Sequence, residues 1–348
     1  MKRIAVVLFN LGGPDSPEAV KPFLLNLFRD PAILRVPFFV RPVLARIIAR
    51  ARVKPASENY ALLGGKSPLL ELTQEQGVAL ERALAKRGVE AKSFIAMRYW
   101  HPFALATARA VKAWNPDEVF LLPLYPQYST TTSGSSLVDW REAASRAGLA
   151  RQVTTLCCWF NDDGYIAATA AMLRRALDKA RAETIHPIRV LFSAHGLPET
   201  IVKNGDPYQF QVEATVARVV EALGEDGLDH LVCYQSRATP QKWLDPSTEV
   251  VIEQAAHDKV AVLVVPIAFV SEHSETLVEL DVEYRELAEK LGVPGYFRAP
   301  AQNSDAGFIE AVADVVMAGR HKGHGMCSAV GGRACPAAHS DCPMRLAA

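Results

Sequence analysis

Ile188-Arg189-Val190-Leu191-Phe192-Ser193-Ala194-His195-Gly196-Leu197-Pro198 is an apolar run that breaks abruptly into a histidine and a turn. A strand buried on both faces reads this way, and loops at the carboxyl ends of such strands carry ligands in open α/β sheets. The same pattern recurs along the chain. Residues 4–9 run into Gly12-Gly13-Pro14, 91–97 into Arg98-Tyr99-Trp100-His101-Pro102, and 118–124 into Tyr125-Pro126-Gln127-Tyr128. Strand signal returns at 151–156, 230–234 and 259–266, with helix-length segments between. Such alternation predicts α/β architecture: two open α/β units, each a mostly parallel sheet with its faces covered by helices. The 348 residues suffice for two such units. The expected organisation is an N-terminal lobe over 1–150, a C-terminal lobe over 151–300, a helix within 301–320 returning to the first lobe, and a cysteine-rich tail over 321–348.

Lys+Arg and Asp+Glu both number 38, so the chain lacks the basic excess of a general nucleic-acid binder. No run of 18 apolar residues and no export signal stand out, which sets the expectation of a cytoplasmic protein. Residues 31–54 mix Phe38, Phe39, Val40, Val43 and Ile47 with charges that are all basic, Arg35, Arg41, Arg46, Arg50, Arg52 and Lys54. That mixture suits a membrane interface, and equally a buried helix with solvated arginines. Gly64-Gly65-Lys66-Ser67 has the wrong spacing for a phosphate loop, and Gly-x-Gly-x-x-Gly is missing. No nucleotide cofactor is expected, and an NAD-dependent oxidoreductase is disfavoured.

His195 stands at a strand tip among small residues, where an imidazole can accept a proton or bind a metal. The apolar run 259–266 delivers a polar cluster, Ser271-Glu272-His273-Ser274-Glu275. A helix starting near 271 would align Glu275, Glu279, Glu283 and Glu286 in one stripe, a row able to guide a cation, with Glu283 and Glu286 read as solvated. His195 and Glu275 together offer one nitrogen and one carboxylate oxygen. That set is too sparse for a permanent site and suited to iron in transit, or to proton relay. Cys327, Cys335 and Cys342 crowd the tail. Their spacing leaves open free thiols, a zinc site completed by His339, or an iron–sulfur centre.

Five segments then align with one family. Phe9-Asn10-Leu11-Gly12-Gly13-Pro14, Tyr125-Pro126-Gln127-Tyr128-Ser129, Ser193-Ala194-His195-Gly196-Leu197-Pro198, Tyr234-Gln235-Ser236-Arg237 with Pro240 and Trp243, and Pro266 through Leu277 resemble, in order, the ferrochelatase family. The resemblance implies insertion of ferrous iron into protoporphyrin IX, with a cobalt or other tetrapyrrole chelatase as the alternative, and two Rossmann-like lobes, each a parallel sheet flanked by helices, with the active-site cleft between them. It implies that His195, Glu275 and His273 are catalytic, with His195 and Glu275 meeting the iron and the Glu275/His273 pair facing His195 across the macrocycle. Leu11, Tyr60, Arg98, Tyr125, Gln235, Trp243 and Phe269 are implied as porphyrin contacts. Residues 31–54 become a lip facing an anionic membrane, placing the chain on the inner face of the cell membrane. The oxidase of the preceding haem-pathway step is a transient partner on this view. The resemblance also implies a [2Fe–2S] cluster on Cys158 (Cys157 as alternative), Cys327, Cys335 and Cys342, since Thr130 stands where animal members carry the internal cysteine.

Overall fold

The computed structural model describes residues 2–236 and 241–344, so Arg237 and Pro240 of the fourth motif lie outside the described residues. The first sheet is built on β1 (Arg3–Asn10), β2 (Glu90–Met97), β3 (Glu118–Pro123) and β4 (Gln152–Leu156), and the second on β5 (Ile188–His195), β6 (His230–Gln235), β7 (Ala261–Pro266) and β8 (Tyr296–Arg298). A short β9 (Gly325–Cys327) returns from the tail to the first sheet. The strand orders are β2-β1-β3-β4-β9 and β6-β5-β7-β8. All neighbours within each sheet are parallel. Ile4 to Phe9 and all of β3 and β7 are buried, which is why these strands read as unbroken apolar runs.

The eleven α-helices of the described residues are α1 (Val20–Arg29), α2 (Arg41–Leu62), α3 (Leu69–Lys86), α4 (Ala104–Trp114), α5 (Ser135–Ala147), α6 (Asp163–Glu183), α7 (Glu199–Lys203), α8 (Tyr208–Leu223), α9 (Thr248–Asp258), α10 (Tyr284–Leu291) and α11 (Ala306–His321). Helices α6, α8 and α11 lie between the sheets, and one continuous apolar core runs from Ile4, Val6 and Leu8 through Trp159, Tyr165 and Phe308 to Val190 and Phe192. The two lobes are therefore not independent bodies with a dry gap.

The boundary expected at 150 is displaced. Strand β4 pairs with β3, carrying the first sheet to Leu156, and β9 pairs with β4 through Thr154↔Gly325 and Leu156↔Cys327. Apolar periodicity marks a strand without saying which sheet edge it joins, and that choice is made by packing. Helix α11 packs across α3 and α6. The Arg87 guanidinium pins it through Glu310 at 2.6 Å and Asp314 at 2.7 Å. Residues 31–54 form a turn and the first half of α2. Pro42 occupies the first helical turn, where its missing N–H costs nothing. Arg41 is committed inward, donating to Leu34 O at 3.1 Å and Val36 O at 2.9 Å.

Helix α11 approaches the first sheet closely at Gly319. A Cβ there would stand 2.7 Å from the ring of Phe120, which is 1% exposed in β3. Gly319→Val is expected to destabilise the protein by about 1–3 kcal/mol, the usual cost of overpacking. Urea denaturation followed by circular dichroism measures this; an unchanged midpoint would show that α11 can lift off the sheet freely.

Candidate active site

Strands β5 and β7 are neighbours, so their carboxyl tips deliver His195 and the loop after Pro266 to one place. His195 Nδ1 lies 3.1 Å from Glu275 Oε2, and the same oxygen lies 3.6 Å from His273 Nε2. One carboxylate oxygen thus stands between two imidazoles. With such spacing no macrocycle can pass between His195 and the Glu275/His273 pair, which corrects the expectation that they face each other across it. All three occupy one wall of the cleft. The sequence could not show this, because it does not reveal that β5 and β7 are adjacent.

Burial opposes the charged form of His195, but the Glu275 carboxylate outweighs it and raises the imidazole pKa. Burial likewise opposes ionisation of Glu275, and the attraction of His195, its hydrogen bond and then His273 bring that pKa down to about 2. For His273 burial prevails, aided by repulsion from His195, and the pKa is lowered. The trio therefore holds a firmly ionised carboxylate, one imidazole that favours its proton and one that favours being neutral.

The segment after His273 is not the expected α-helix. Glu275–Glu283 is a π-helix, closed by Tyr284 N–H donating to Glu279 O five residues back, and α10 follows. Wide turns of this kind recur at functional sites. They keep Glu275 and Glu279 on the cleft side. Glu279 accepts from Gln235 Nε2 at 3.1 Å, Ser236 N at 2.9 Å, the Ser236 hydroxyl and Tyr284 Oη at 3.0 Å. Burial and the neighbouring Glu275 charge raise its pKa. Glu283 and Glu286 are exposed. Ser236 has φ 66°, a left-handed conformation that costs a non-glycine residue about 1–2 kcal/mol. The Glu279 carboxylate holds it there.

A second layer fixes the His273 loop from the first lobe. Gln76 of α3, 2% exposed, donates to Val270 O and Asn303 O, both at 2.9 Å, and accepts from Ser271 Oγ at 3.0 Å. Asn303 Oδ1 accepts from Glu272 N at 3.0 Å, while Glu272 and Asp281 both bind Arg298, at 2.8 and 2.6 Å. Phe269 packs on His273 with ring centroids 4.6 Å apart. Neither Gln76 nor Arg298 was singled out from sequence; each is an isolated polar residue in an otherwise ordinary segment.

The expected porphyrin contacts fall into two groups. Leu11 and Tyr60 belong to the apolar cluster beside the site, and the Tyr60 hydroxyl meets Ser274 Oγ at 3.5 Å. Arg98 is half-tied, bonding Asp30 at 2.8 Å and Ser135 Oγ at 2.7 Å. Asp30, 4% exposed, also takes the Tyr99 hydroxyl at 2.7 Å. Tyr125 keeps a buried hydroxyl without a hydrogen-bond partner. Gln235 is wholly buried, accepting from Ser193 Oγ, so it supports Glu279 and does not itself present a surface to a ligand; Trp243 is 8% exposed. A cavity of about 290 Å³ is lined by Arg29, Arg98, Asp139 and Arg146, and its lining includes none of His195, His273 and Glu275.

The cysteines part company. Cys157 and Cys158 follow β4 with their sulfurs 3.4 Å apart, and Cys335 Sγ accepts from Gln211 Nε2 at 3.1 Å. Cys158 and the tail residues Ala334 and Met344 share one apolar cluster. Cys327 packs on the other side of the sheet, against α11.

The electrostatics have a direct test in metal-free protein. In Glu275→Gln the stabilising charge is gone and burial remains, so the His195 pKa is expected to fall. Imidazole proton NMR across pH reports it. An unmoved titration would mean that another group sets the charge of His195.

The ferrochelatase family model matches residues 3–320. A ferrochelatase of Caulobacter vibrioides is 52% identical over 346 residues, covering 99% of this chain and 98% of the relative. One of Phenylobacterium zucineum is 51% identical over 345 residues, again 99% and 98%. Among solved structures, the sirohydrochlorin chelatase SirB from Bacillus subtilis subspecies spizizenii, in complex with cobalt, shares the fold with TM-score 0.52 at 13% identity, covering 92% of this chain and 97% of its own. The fold, the order of the motifs and these relatives agree: the chain belongs to the ferrochelatase family.

Proposed function

We infer that the protein inserts ferrous iron into protoporphyrin IX with release of two protons, forming protoheme. The observation that carries the reading is the His195–Glu275–His273 cluster, in which a single carboxylate oxygen touches two imidazoles at adjacent strand tips. Iron insertion needs a carboxylate that stays ionised near an incoming cation, and a base for the pyrrole protons. Glu275 supplies the first. The neutral imidazole of His273, or of His195 once its proton has passed to solvent, supplies the second. Glu279, whose ionisation is opposed by burial and by Glu275, can take a proton from this cluster and pass it outward along the π-helix. Leu11, Tyr60, Tyr125 and Phe269 are proposed to grip the apolar macrocycle, and Arg98 to meet its carboxylates. Binding contacts remote from the nitrogens can strain the ring so that its lone pairs face the incoming metal.

His195→Ala and Glu275→Gln are each expected to lower kcat by about 10²–10⁴-fold with the circular dichroism spectrum unchanged. Stopped-time assays with Fe²⁺ and protoporphyrin IX, with Co²⁺ in parallel, decide it. Near-normal turnover in either folded variant would remove the assignment.

A membrane-facing role is proposed for the lip. Phe38 and Phe39 are 80% and 68% exposed, Val43 and Ile47 are exposed beside them, and Arg46 and Arg50 flank that face. Among the described residues no helix is long and apolar enough to cross a membrane. Aromatic tips with flanking cations suit the interface of an anionic bilayer. The protein is expected to co-sediment with phosphatidylserine vesicles at low salt and less at high salt. Recovery in the supernatant equal to that of a Phe38→Glu/Phe39→Glu/Arg46→Glu/Arg50→Glu variant would end the idea.

The thiols do not gather as a ready site for the [2Fe–2S] group implied by the family resemblance: all six cysteines are buried, and among the described residues no group of three or more His, Cys, Asp or Glu stands together as metal ligands would, so no step is derived through it.

A further inference from the structure

We propose that protons leave the active site through Tyr284 and Glu249, two relay residues that act through Glu279 and do not touch the porphyrin. The proposal deepens the reading above, because it rests on Glu279 receiving protons from the His195–Glu275–His273 cluster.

One phenol meets two carboxylates. Tyr284 Oη lies 3.0 Å from Glu279 Oε1 and 3.3 Å from Glu249 Oε1. A phenol carries one proton and donates it fully to one acceptor at a time. Both contacts are satisfied together only when one carboxyl holds a proton of its own and gives it to the phenol oxygen. The three groups thus form a place for two protons, and shifting both moves one proton from one carboxyl to the other. Core packing accounts for the Tyr284 ring, which is 4% exposed among Leu280, Val251, Ile252, Ala255 and Cys233. A single acceptor would satisfy its hydroxyl. The second carboxylate, brought by α9, is what packing leaves unexplained.

The relay has an inner and an outer end. Gln235 Nε2 and the Ser236 hydroxyl hold Glu279 Oε2, which leaves Oε1 to Ser236 N and Tyr284. Burial and the Glu275 charge oppose ionisation of Glu279, so it is the carboxyl suited to carry the proton. Glu249 is half-exposed in the first turn of α9, where the helix dipole favours a negative charge. Burial, then Glu279 and Glu249, raise the Tyr284 pKa and keep the phenol protonated. Glu279 also faces His195, and Tyr284 faces the Cys233 thiol, which burial keeps neutral.

Transfer is then concerted. The carboxyl proton of Glu279 passes to Tyr284 Oη while the phenol proton passes to Glu249. Two O–H bonds break and two form. Glu279 ends ionised and ready for the next pyrrole proton, the phenol is unchanged, and Glu249 releases its proton to solvent. Glu283, the next acid along the π-helix, is exposed and accepts from Asn59 Nδ2 of α2 at 3.3 Å, so it serves the contact between the helices.

The test compares three single variants. Tyr284→Phe keeps the ring and deletes the hydroxyl, and Glu249→Gln keeps an acceptor but cannot take up the proton. Each is expected to lower kcat for Fe²⁺ insertion by about 10–100-fold, the lower end of what a lost proton transfer costs, with both KM values and the circular dichroism spectrum unchanged. Imidazole buffer, a mobile proton carrier, is expected to restore most of that loss, which it cannot do for a merely structural defect. Glu283→Gln is expected to keep wild-type kcat. Near-normal kcat in Tyr284→Phe or Glu249→Gln, a loss that imidazole leaves in place, or an equal loss in Glu283→Gln overturns the proposal. Glu249→Gln, at a half-exposed position, decides should Tyr284→Phe lose the fold. Infrared spectra of metal-free protein across pH follow the Glu279 carboxyl, identified by its disappearance in Glu279→Gln. The Tyr284 hydroxyl stabilises the Glu279 carboxylate, so Tyr284→Phe is expected to shift that titration to higher pH. An unmoved titration overturns the relay whether or not the wild type inserts iron, whereas a wild type without insertion fails the earlier reading.

Discussion

The active-site loop depends on one buried carboxamide. Gln76 comes from the first lobe, yet all three of its hydrogen bonds go to residues 270, 271 and 303, just before and beyond His273. Neutral hydrogen bonds contribute only about 0.5–1.5 kcal/mol each, but leaving their buried partners unmet costs about 1–3 kcal/mol apiece. The loop is thus held in place by a side chain on the other lobe. The shared core of Trp159, Tyr165 and Phe308 makes that dependence possible by keeping α3, α6 and α11 in fixed relation to β7. Tyr165 contributes directly, donating to Ile267 O at 3.2 Å, and Gln127 reaches the same carbonyl at 3.4 Å.

From this scaffold the electrostatics follow. Glu275 sits low because two imidazoles surround it, and Glu279 sits high because Glu275 is already charged. Two carboxylates four residues apart in the chain are pushed in opposite directions by their surroundings. That division is what a site needs if it must attract a cation and discharge protons at once. The π-helix permits it by keeping Glu279 within reach of Gln235 and Ser236 while Glu275 turns to His195.

Much of this was readable from the chain. The apolar runs ending in His195 and before His273 announced parallel strands with polar tips, and both strands are there. What stayed hidden was adjacency. Periodicity marks β4 as a strand but cannot say that it joins β3, and it marks no strand at all in Gly325-Met326-Cys327, whose three residues carry too short a pattern. Gln76, Asn303 and Arg298 were equally silent, because a polar residue becomes conspicuous only when its burial is known. The cysteines show the same limit: spacing counts thiols, whereas the face of a strand decides which of them can meet.

The edge strand β9 has a consequence for synthesis. Its partner β4 leaves the ribosome about 170 residues ahead of it, which at ~5–20 residues per second is a wait of roughly 10–30 s. Throughout that interval the nascent first lobe carries an open sheet edge, with unmet N–H and C=O groups along β4, and lacks α11 over the face formed by Phe120 and Leu156. The nascent chain must therefore be shielded or must wait unfolded, and only translation of the last few dozen residues allows the first-made half of the protein to close.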